Sequence, residues 1–302
     1  MTKVPTISVL LPVYNAQPYL DAAVSSILLQ SFRDFELIAV DDGSTDGSLG
    51  LLHQYARMDS RLKVISRPHS GIAGALNDAI AEAQGEFLAR MDADDISLPS
   101  RFEKQVAFFR QHPEAVVVGS RVLLIDPDGQ SLFETDQPLE NPQIQHGLLS
   151  GVGWVVVHSA AMMRTAEVCA AGGYRAELAP CEELDLLVRL SETGHLANLP
   201  QVLLHYRQYE ESSNPADSAK QYDTIRQILN DAFVRRGVMM ADDWSPSRRS
   251  ILPIRKQINM RATLALKKGN VAVARKHAFS LVKMNPLSIG SWRLMFSTLR
   301  GR

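Results

Sequence analysis

The sequence predicts an α/β fold: a mostly parallel sheet flanked by helices, with an α-helical C-terminal extension. Three observations predict it. Short β-branched runs alternate with amphipathic segments at about 25–30 residues per unit through the first hundred positions, the rhythm of strand–helix–strand units in a helix-covered sheet. Polar and acidic residues, not core residues, stand just past the strand-like runs, at Tyr14-Asn15, Asp41-Asp42 and Asp92 to Asp95. From about Asn214 onward the strand-like runs stop and helical spacing takes over.

The elements follow in order. Ile7 to Val13 is short, apolar and β-branched, and reads as a buried strand. Pro18 to Gln30 carries Leu20, Ala23, Val24, Ile27 and Leu28 at helical spacing. Phe35 to Val40 is the second strand. It ends in Asp41-Asp42-Gly43-Ser44-Thr45-Asp46-Gly47, whose turn formers also cap a helix running to about Met58. Leu62 to Ser66 is the third strand, Gly71 to Gln84 a helix, and Phe87 to Met91 the fourth strand. Pro99 to Gln111 is helical, and Ala115 to Ile125 is a strand leading into a hairpin-type turn at Asp126-Pro127-Asp128-Gly129. Glu182 to Ser191 is a short amphipathic helix, and Leu196 to Tyr206 is the last strand-like run. Helices are expected over Ala216 to Val234, Pro246 to Lys268, Val271 to Met284 and Leu287 to Leu299, with breaks at Gly237, Gly269-Asn270 and Pro286. The expected division is 1–98 and 99–213 as two halves of one domain, and 214–302 as the extension, with a boundary near Ser212-Asn214-Pro215.

Composition narrows the function classes. Among 302 residues, 32 are basic and 33 acidic, a balance that offers no electrostatic footprint for nucleic acid. Hydrophobic content of 45% suffices for a real core. Cys169 and Cys181 have no metal-ligand spacing and fit a reduced, cytoplasmic setting. Met1 to Pro5 leads straight into a strand with no signal-peptide pattern, and no uninterrupted apolar stretch has the length of a membrane span.

Asp92-Ala93-Asp94-Asp95 is the densest chemical signal. Carboxylates this close repel one another unless a positive charge offsets them. A hard divalent ion does so with oxygen ligands, commonly one or two carboxylates plus substrate phosphates. Taken alone, the stretch reads equally well as an acidic loop capping the next helix. Its coincidence with two other polar signals at strand ends favours a ligand site, because ligands of such sheets bind beyond the carboxyl ends of the strands.

Several chemistries fail on the first two loops. A dinucleotide-binding dehydrogenase or a pyrophosphorylase needs a glycine-rich turn after the first strand, where Tyr14-Asn15-Ala16-Gln17-Pro18 has no glycine. Val40-Asp41-Asp42-Gly43-Ser44 misses the spacing of haloacid-dehalogenase-type phosphatases by one residue, and a P-loop is absent.

Ser8-Val9-Leu10-Leu11-Pro12-Val13-Tyr14-Asn15, Ser26 to Phe32 and Val40 to Gly47 together resemble glycosyltransferase family 2, the inverting enzymes of the GT-A (nucleotide-diphospho-sugar transferase) fold. Leu76 to Ile80, Ala83 to Phe87 and Met91 to Asp95 continue the resemblance, which covers residues 6 to about 210. It implies that 1–98 is the nucleotide-sugar-binding half and 99–213 the acceptor-binding half. It implies a nucleotide site at Pro12, Tyr14 and Asn15, with Asp42 facing the base. A carboxylate there suits uracil N3–H, so a UDP-sugar is the first donor choice. Arg67 either approaches the diphosphate or is an ordinary solvated arginine. Asp94 is the expected direct ligand of Mn²⁺ or Mg²⁺, with Asp92 on ribose, a sugar hydroxyl or metal-bound water.

The resemblance also implies a base, in Cys181-Glu182-Glu183-Leu184-Asp185. The family's second acid stands at Glu183, a departure from aspartate; Asp185 is the runner-up and Glu182 third. Adjacent acids are expected to raise one another's pKa, which suits a base. His158 matches an acceptor-side histidine, or is a buried structural one. After Leu203-Leu204-His205-Tyr206-Arg207, the family's usual histidine is replaced by Tyr209.

The expected activity is metal-dependent sugar transfer to a glycan or lipid-linked acceptor, in surface polysaccharide or lipid-linked glycan synthesis. The alternatives are an inactive sugar-nucleotide-binding scaffold and a nucleotidyltransferase on a related fold. Asn285 to Arg302 sets Trp292, Leu294, Met295, Phe296 and Leu299 against Arg293, Arg300 and Arg302. It reads either as a helix packed on its neighbours, the simpler expectation, or as an interfacial helix giving peripheral membrane contact.

Overall fold

The computed structural model describes residues 4–209, 215–241, 244, 254–267 and 269–300. Four strands, β1 (Ile7–Val13), β2 (Phe35–Asp41), β3 (Leu62–Ser66) and β4 (Phe87–Arg90), run parallel in the spatial order β3-β2-β1-β4. Between them lie α1 (Gln17–Leu28), α2 (Ser48–Met58) and α3 (Ile72–Glu82). All seven residues of β1 are buried, as a strand covered on both faces requires. Ile7, Val9, Leu11 and Val13 join one core cluster, with Leu20, Val24 and Leu52. Leu10 turns to the other, with Leu76 and Ala79.

Beyond β4 the sheet becomes mixed. It comprises β5 (Ile96–Ser97), β6 (Ala115–Ile125), β7 (Ser131–Glu134), β8 (Met162–Arg164) and β9 (His195–Arg207), with α4 (Arg101–Gln111), α5 (Asn141–Leu149), α6 (Thr165–Ala170) and α7 (Glu182–Leu190) between them. The order continues β4-β8-β6-β9-β5, and β7 pairs with β6. β9 is parallel to β6, whereas β8, β7 and β5 pair antiparallel. The expected parallel arrangement therefore holds for the first four strands and gives way afterwards. The sheet is continuous across residue 98, because β5 pairs with β9 at the far edge.

Buried Arg101 fixes the junction of the two halves. Its Nη2 donates to the carbonyls of Arg90, at 2.7 Å, and Ala161, at 3.2 Å. Burial pushes its pKa down to about 9.

The extension comprises α8 (Pro215–Arg235), α9 (Ile254–Lys267), α10 (Val271–Met284) and α11 (Ile289–Arg300); the first three pack on the domain, and α11 packs on α9 and α10. Ile225, Ile228 and Leu229 of α8 join one core cluster, and Ala265, Val273 and Ala274 join the other. Residues 210–214, where the boundary was expected, and the expected helical start at 246–253 lie outside the described residues. Among the described residues, no helix is long and apolar enough to cross a membrane.

Candidate active site

Parallel register brings the three polar loops to one edge. Val13 is level with Asp41 and Leu10 with Arg90, so the chain leaves β1, β2 and β4 side by side. The first two loops are laced together. Asn15 has φ +49°, a left-handed conformation that asparagine tolerates better than most side chains. Its Oδ1 accepts from the Thr45 amide at 2.8 Å, and its own amide donates to Ser44 Oγ at 3.0 Å.

Asp42 is buried and braced by its own chain. The Ser70 and Gly71 amides donate to its carboxylate at 3.1 and 2.8 Å, with His69 Nδ1 at 2.9 Å and Arg67 Nε at 3.4 Å. Gly71 approaches at φ +94°, which a side chain would strain. His69 in turn stacks on the Tyr14 ring, with centroids 4.1 Å apart and planes 24° apart.

These loops wall a cleft of about 510 Å³. Of the predicted residues, Pro12, Tyr14, Asn15, Asp42, Asp92 and Asp94 line it, and Tyr19, His69 and Tyr209 join them. Arg67 is not on this wall. Its Nη1 bonds Asp78 at 2.6 Å, and the rest of the guanidinium serves Ser70 and Asp42.

Asp92 and Asp94 of the acid cluster line the same cleft. Asp92, Asp94 and Asp95 each bring an oxygen within 4.8 Å of the others. Asp92 is ion-paired with buried Arg90, and its amide donates to Ser159 Oγ at 3.0 Å. Asp94 Oδ2 accepts from the Tyr209 hydroxyl at 2.8 Å. Burial, then the Asp92 charge, pushes the Asp94 carboxyl above its ordinary value. Asp95 is buried and accepts from the Arg207 amide at 2.7 Å; burial and both neighbouring carboxylates push it well up. The donor set fits a hard divalent cation: three oxygen ligands converge, and two of them are held in a state that a positive charge would relieve.

The second acidic stretch separates into two environments. Asp185 is buried inside the fold, paired with Arg189 at 2.6 Å and Arg175 at 3.5 Å. Arg189 also donates to the carbonyls of Ala171 and Gly173, so this is a structural clamp. Glu183 is different: its side chain is 41% exposed and its Oε2 lies 3.3 Å from His158 Nδ1. An ionised carboxylate only accepts, so Nδ1 carries the proton. Nε2 then accepts from the Tyr174 hydroxyl at 2.7 Å. Removal from bulk water raises the Glu183 pKa, but His158 and Arg90 outweigh it and hold the carboxyl below its ordinary value. The expected mutual raising of adjacent acids therefore fails at Glu183. It holds at Glu182, which is pushed up by burial first and by the Glu183 charge. His158 is buried and hydrogen-bonded, as one of its two expected readings has it, and its ring meets Glu183.

Arg90, His69, Tyr19 and Tyr209 as a cleft residue were not foreseen. Arg90 had a signal, a charge inside the apolar run Phe87 to Met91, two residues before Asp92 and so on the same side of an extended chain. It couples the two acidic regions, since it pairs with Asp92 and its charge reaches Glu183.

Comparison with known proteins gives the family and the fold. The family model described as Glycosyl transferase family 2 matches residues 8–167. Putative glycosyltransferase EpsE of Bacillus subtilis (strain 168) is 35% identical over 213 residues, 69% of this chain and 75% of the relative. O-antigen biosynthesis glycosyltransferase WbnJ of Escherichia coli is 30% identical over 236 residues, 77% of this chain and 91% of the relative. Among solved structures, S. aureus TarS 1–349 in complex with UDP-GlcNAc superposes with TM-score 0.62 at 20% identity, covering 97% of this chain and 79% of that one. The mannosyltransferase PcManGT from Pyrobaculum calidifontis, in complex with GDP-Man and Mn²⁺, gives TM-score 0.55 at 16% identity, covering 99% and 81%. These two likenesses are of fold, and the fold is GT-A.

Proposed function

The chain belongs to glycosyltransferase family 2, and on that premise we propose that it moves a sugar, with inversion and with a divalent metal, from a nucleoside diphosphate donor to an acceptor hydroxyl. The observation that carries this reading is one cleft lined both by an aromatic and amide surface at Tyr14 and Asn15 and by the carboxylates Asp92 and Asp94. A nucleoside suits the first and a cation-bound diphosphate the second. A UDP-sugar is the first donor to try, and TarS, with UDP-GlcNAc, supports it. PcManGT, with GDP-Man, makes the guanosine donor the second. Surface-glycan synthesis is the proposed setting, supported by the likeness to WbnJ.

Asp94 and Asp92 would hold Mn²⁺ or Mg²⁺, and Asp95 supports their loop from inside. The ion supplies Lewis-acid stabilisation of the leaving nucleoside diphosphate. Arg90 holds Asp92 in place and balances the acidic wall. Arg67 positions the Asp42 loop instead of touching diphosphate.

Glu183 is the proposed base. It is ionised at neutral pH, half-exposed, and aimed by His158, itself fixed by Tyr174. It takes the acceptor proton as the hydroxyl oxygen attacks the anomeric carbon. Asp185, with both oxygens committed to arginines, is a structural residue in this reading. The acceptor enters on the Glu183 side. A Cβ at Gly153 would lie 3.7 Å from Glu183 Oε1, and the next residue, Trp154, is 40% exposed with its ring edge-on to Tyr206. That indole offers a face for a sugar ring.

The test is product analysis with UDP-, GDP- and dTDP-sugars. Release of nucleoside diphosphate, dependent on metal and lost in Glu183→Gln, supports the reading. Release of sugar 1-phosphate instead would assign nucleotidyl transfer. Donor binding without turnover on any acceptor would assign a scaffold.

A further inference from the structure

The whole chain carries a formal charge of −1, yet residues 244–302 contain thirteen Lys and Arg and no Asp or Glu. This basic segment also leaves apolar side chains uncovered. α10 turns Val273, Ala274, His277, Ala278, Leu281 and Val282 inward. α11 packs through Ser291 and Thr298, both small and polar. Its apolar side chains lie instead along the outer face. Ile289 (71% exposed), Trp292 (43%), Phe296 (58%) and Leu299 (54%) follow one another at three- and four-residue steps, one stripe of a helix. Leu287, at 94%, extends the stripe past the helix start. Arg293 and Arg300, both exposed, fall along its border at the same helical spacing.

A helix that buries its polar face and exposes its apolar one has an uncovered partner surface. We propose that this partner is an anionic lipid bilayer surface, on which α11 lies flat with Trp292 and Phe296 at headgroup depth and the surrounding lysines and arginines on lipid phosphates. Charge decides among occupants. A second copy meeting the same face would bring two acid-free basic surfaces together. A duplex nucleic acid would use the charge but leave Leu287, Ile289 and Leu299 exposed to water. An anionic bilayer uses both.

The surface is tied to the cleft. Lys276 of α10 bonds Asp126 at 2.6 Å and Asp128, in the β6–β7 turn. Arg207 Nη1 donates to the carbonyls of Asp126 and Pro127 in that turn, and its Nε donates to the Asp94 carbonyl at 2.8 Å. Three links thus join the lipid-facing extension to the acid cluster. Docking would hold the transfer site at a fixed height over the membrane, where a lipid-linked acceptor presents its head group. This inference does not depend on which nucleotide the cleft takes.

The experiment is co-sedimentation of the full chain with vesicles of zwitterionic phosphatidylcholine, alone or with about a third phosphatidylglycerol. The expected result is binding to the anionic vesicles only, weakened by salt. Trp292→Ser with Phe296→Ser, which removes buried apolar area, and separately Arg293→Glu with Arg300→Glu, at about 1 kcal/mol per lost basic contact, should each weaken it by about tenfold or more. Donor turnover on a soluble acceptor should be unchanged in both variants. Four results would overturn the proposal: no vesicle binding by the parent chain; equal binding by parent and variants; a dimer in solution that the Trp292/Phe296 pair of changes dissociates; or tighter binding to duplex nucleic acid than to the anionic vesicles.

Discussion

Tyr209 gives its hydroxyl to Asp94 Oδ2 at 2.8 Å, joining residues 115 apart in sequence. The bond fixes the carboxylate on which cation binding is proposed to rest, and it stands where the resemblance expects a histidine. Tyr209→Phe should leave the melting temperature close to that of the parent and weaken cation-dependent donor binding by about tenfold, the usual worth of a hydrogen bond to a charged group. A metal titration read through donor KM checks it. An unchanged metal requirement would make Tyr209 a wall residue only.

Glu183 and Asp185 stand two residues apart and should fail differently. Glu183→Gln should keep fold and donor affinity and lose about 10²–10⁴ in turnover. Asp185→Asn leaves Arg189 buried without its partner and should cost about 3–5 kcal/mol of stability. Chemical denaturation beside single-turnover kinetics separates the two. A stable, inactive Asp185→Asn would move the base role to Asp185.

The acid limb of the pH–rate profile should move when His158 is changed. His158 and Arg90 hold the Glu183 carboxyl below its ordinary value, against the burial that raises it. The base is active when ionised, so activity falls as pH drops through the folded pKa, on the acid side of an ordinary glutamate. His158→Gln removes the largest lowering contribution. The limb should then shift to higher pH, with the plateau above it little changed in position. A limb that stays put would mean that another group sets it.

Trp154 is the prediction for the acceptor. Trp154→Ala should raise acceptor KM several-fold and leave donor KM unchanged, since the indole lies outside the nucleotide cleft. A change in donor KM alone would place it on the wrong side of the reaction.

The first four strands were legible in the sequence because each is a short run rich in apolar residues set between segments of helical spacing, and their parallel direction follows from the helices between them. β5, β7 and β8 were not. They span two, four and three residues, too short for any periodicity, and partners far along the chain define them. The same limit governed the site. Asp92 and Asp94 announce themselves as neighbours, whereas Tyr209 reaches Asp94 only because β9 closes the sheet beside β5. The pairing of Asp185 did have a local sign: Arg189 stands four residues on, one helical turn away. Glu183 could not be separated from Glu182 by pattern, since the difference is which one faces His158.

The most direct measurement is the melting temperature of the chain with UDP-GlcNAc and GDP-mannose, each with Mn²⁺ and with chelator, in the parent and in Asp94→Ala. A ligand that binds only the folded state must raise the transition. A rise with one nucleotide sugar that vanishes on chelation and in Asp94→Ala is the predicted result. The same rise with chelator present, or in Asp94→Ala with metal, would contradict a cation-held diphosphate at Asp92 and Asp94.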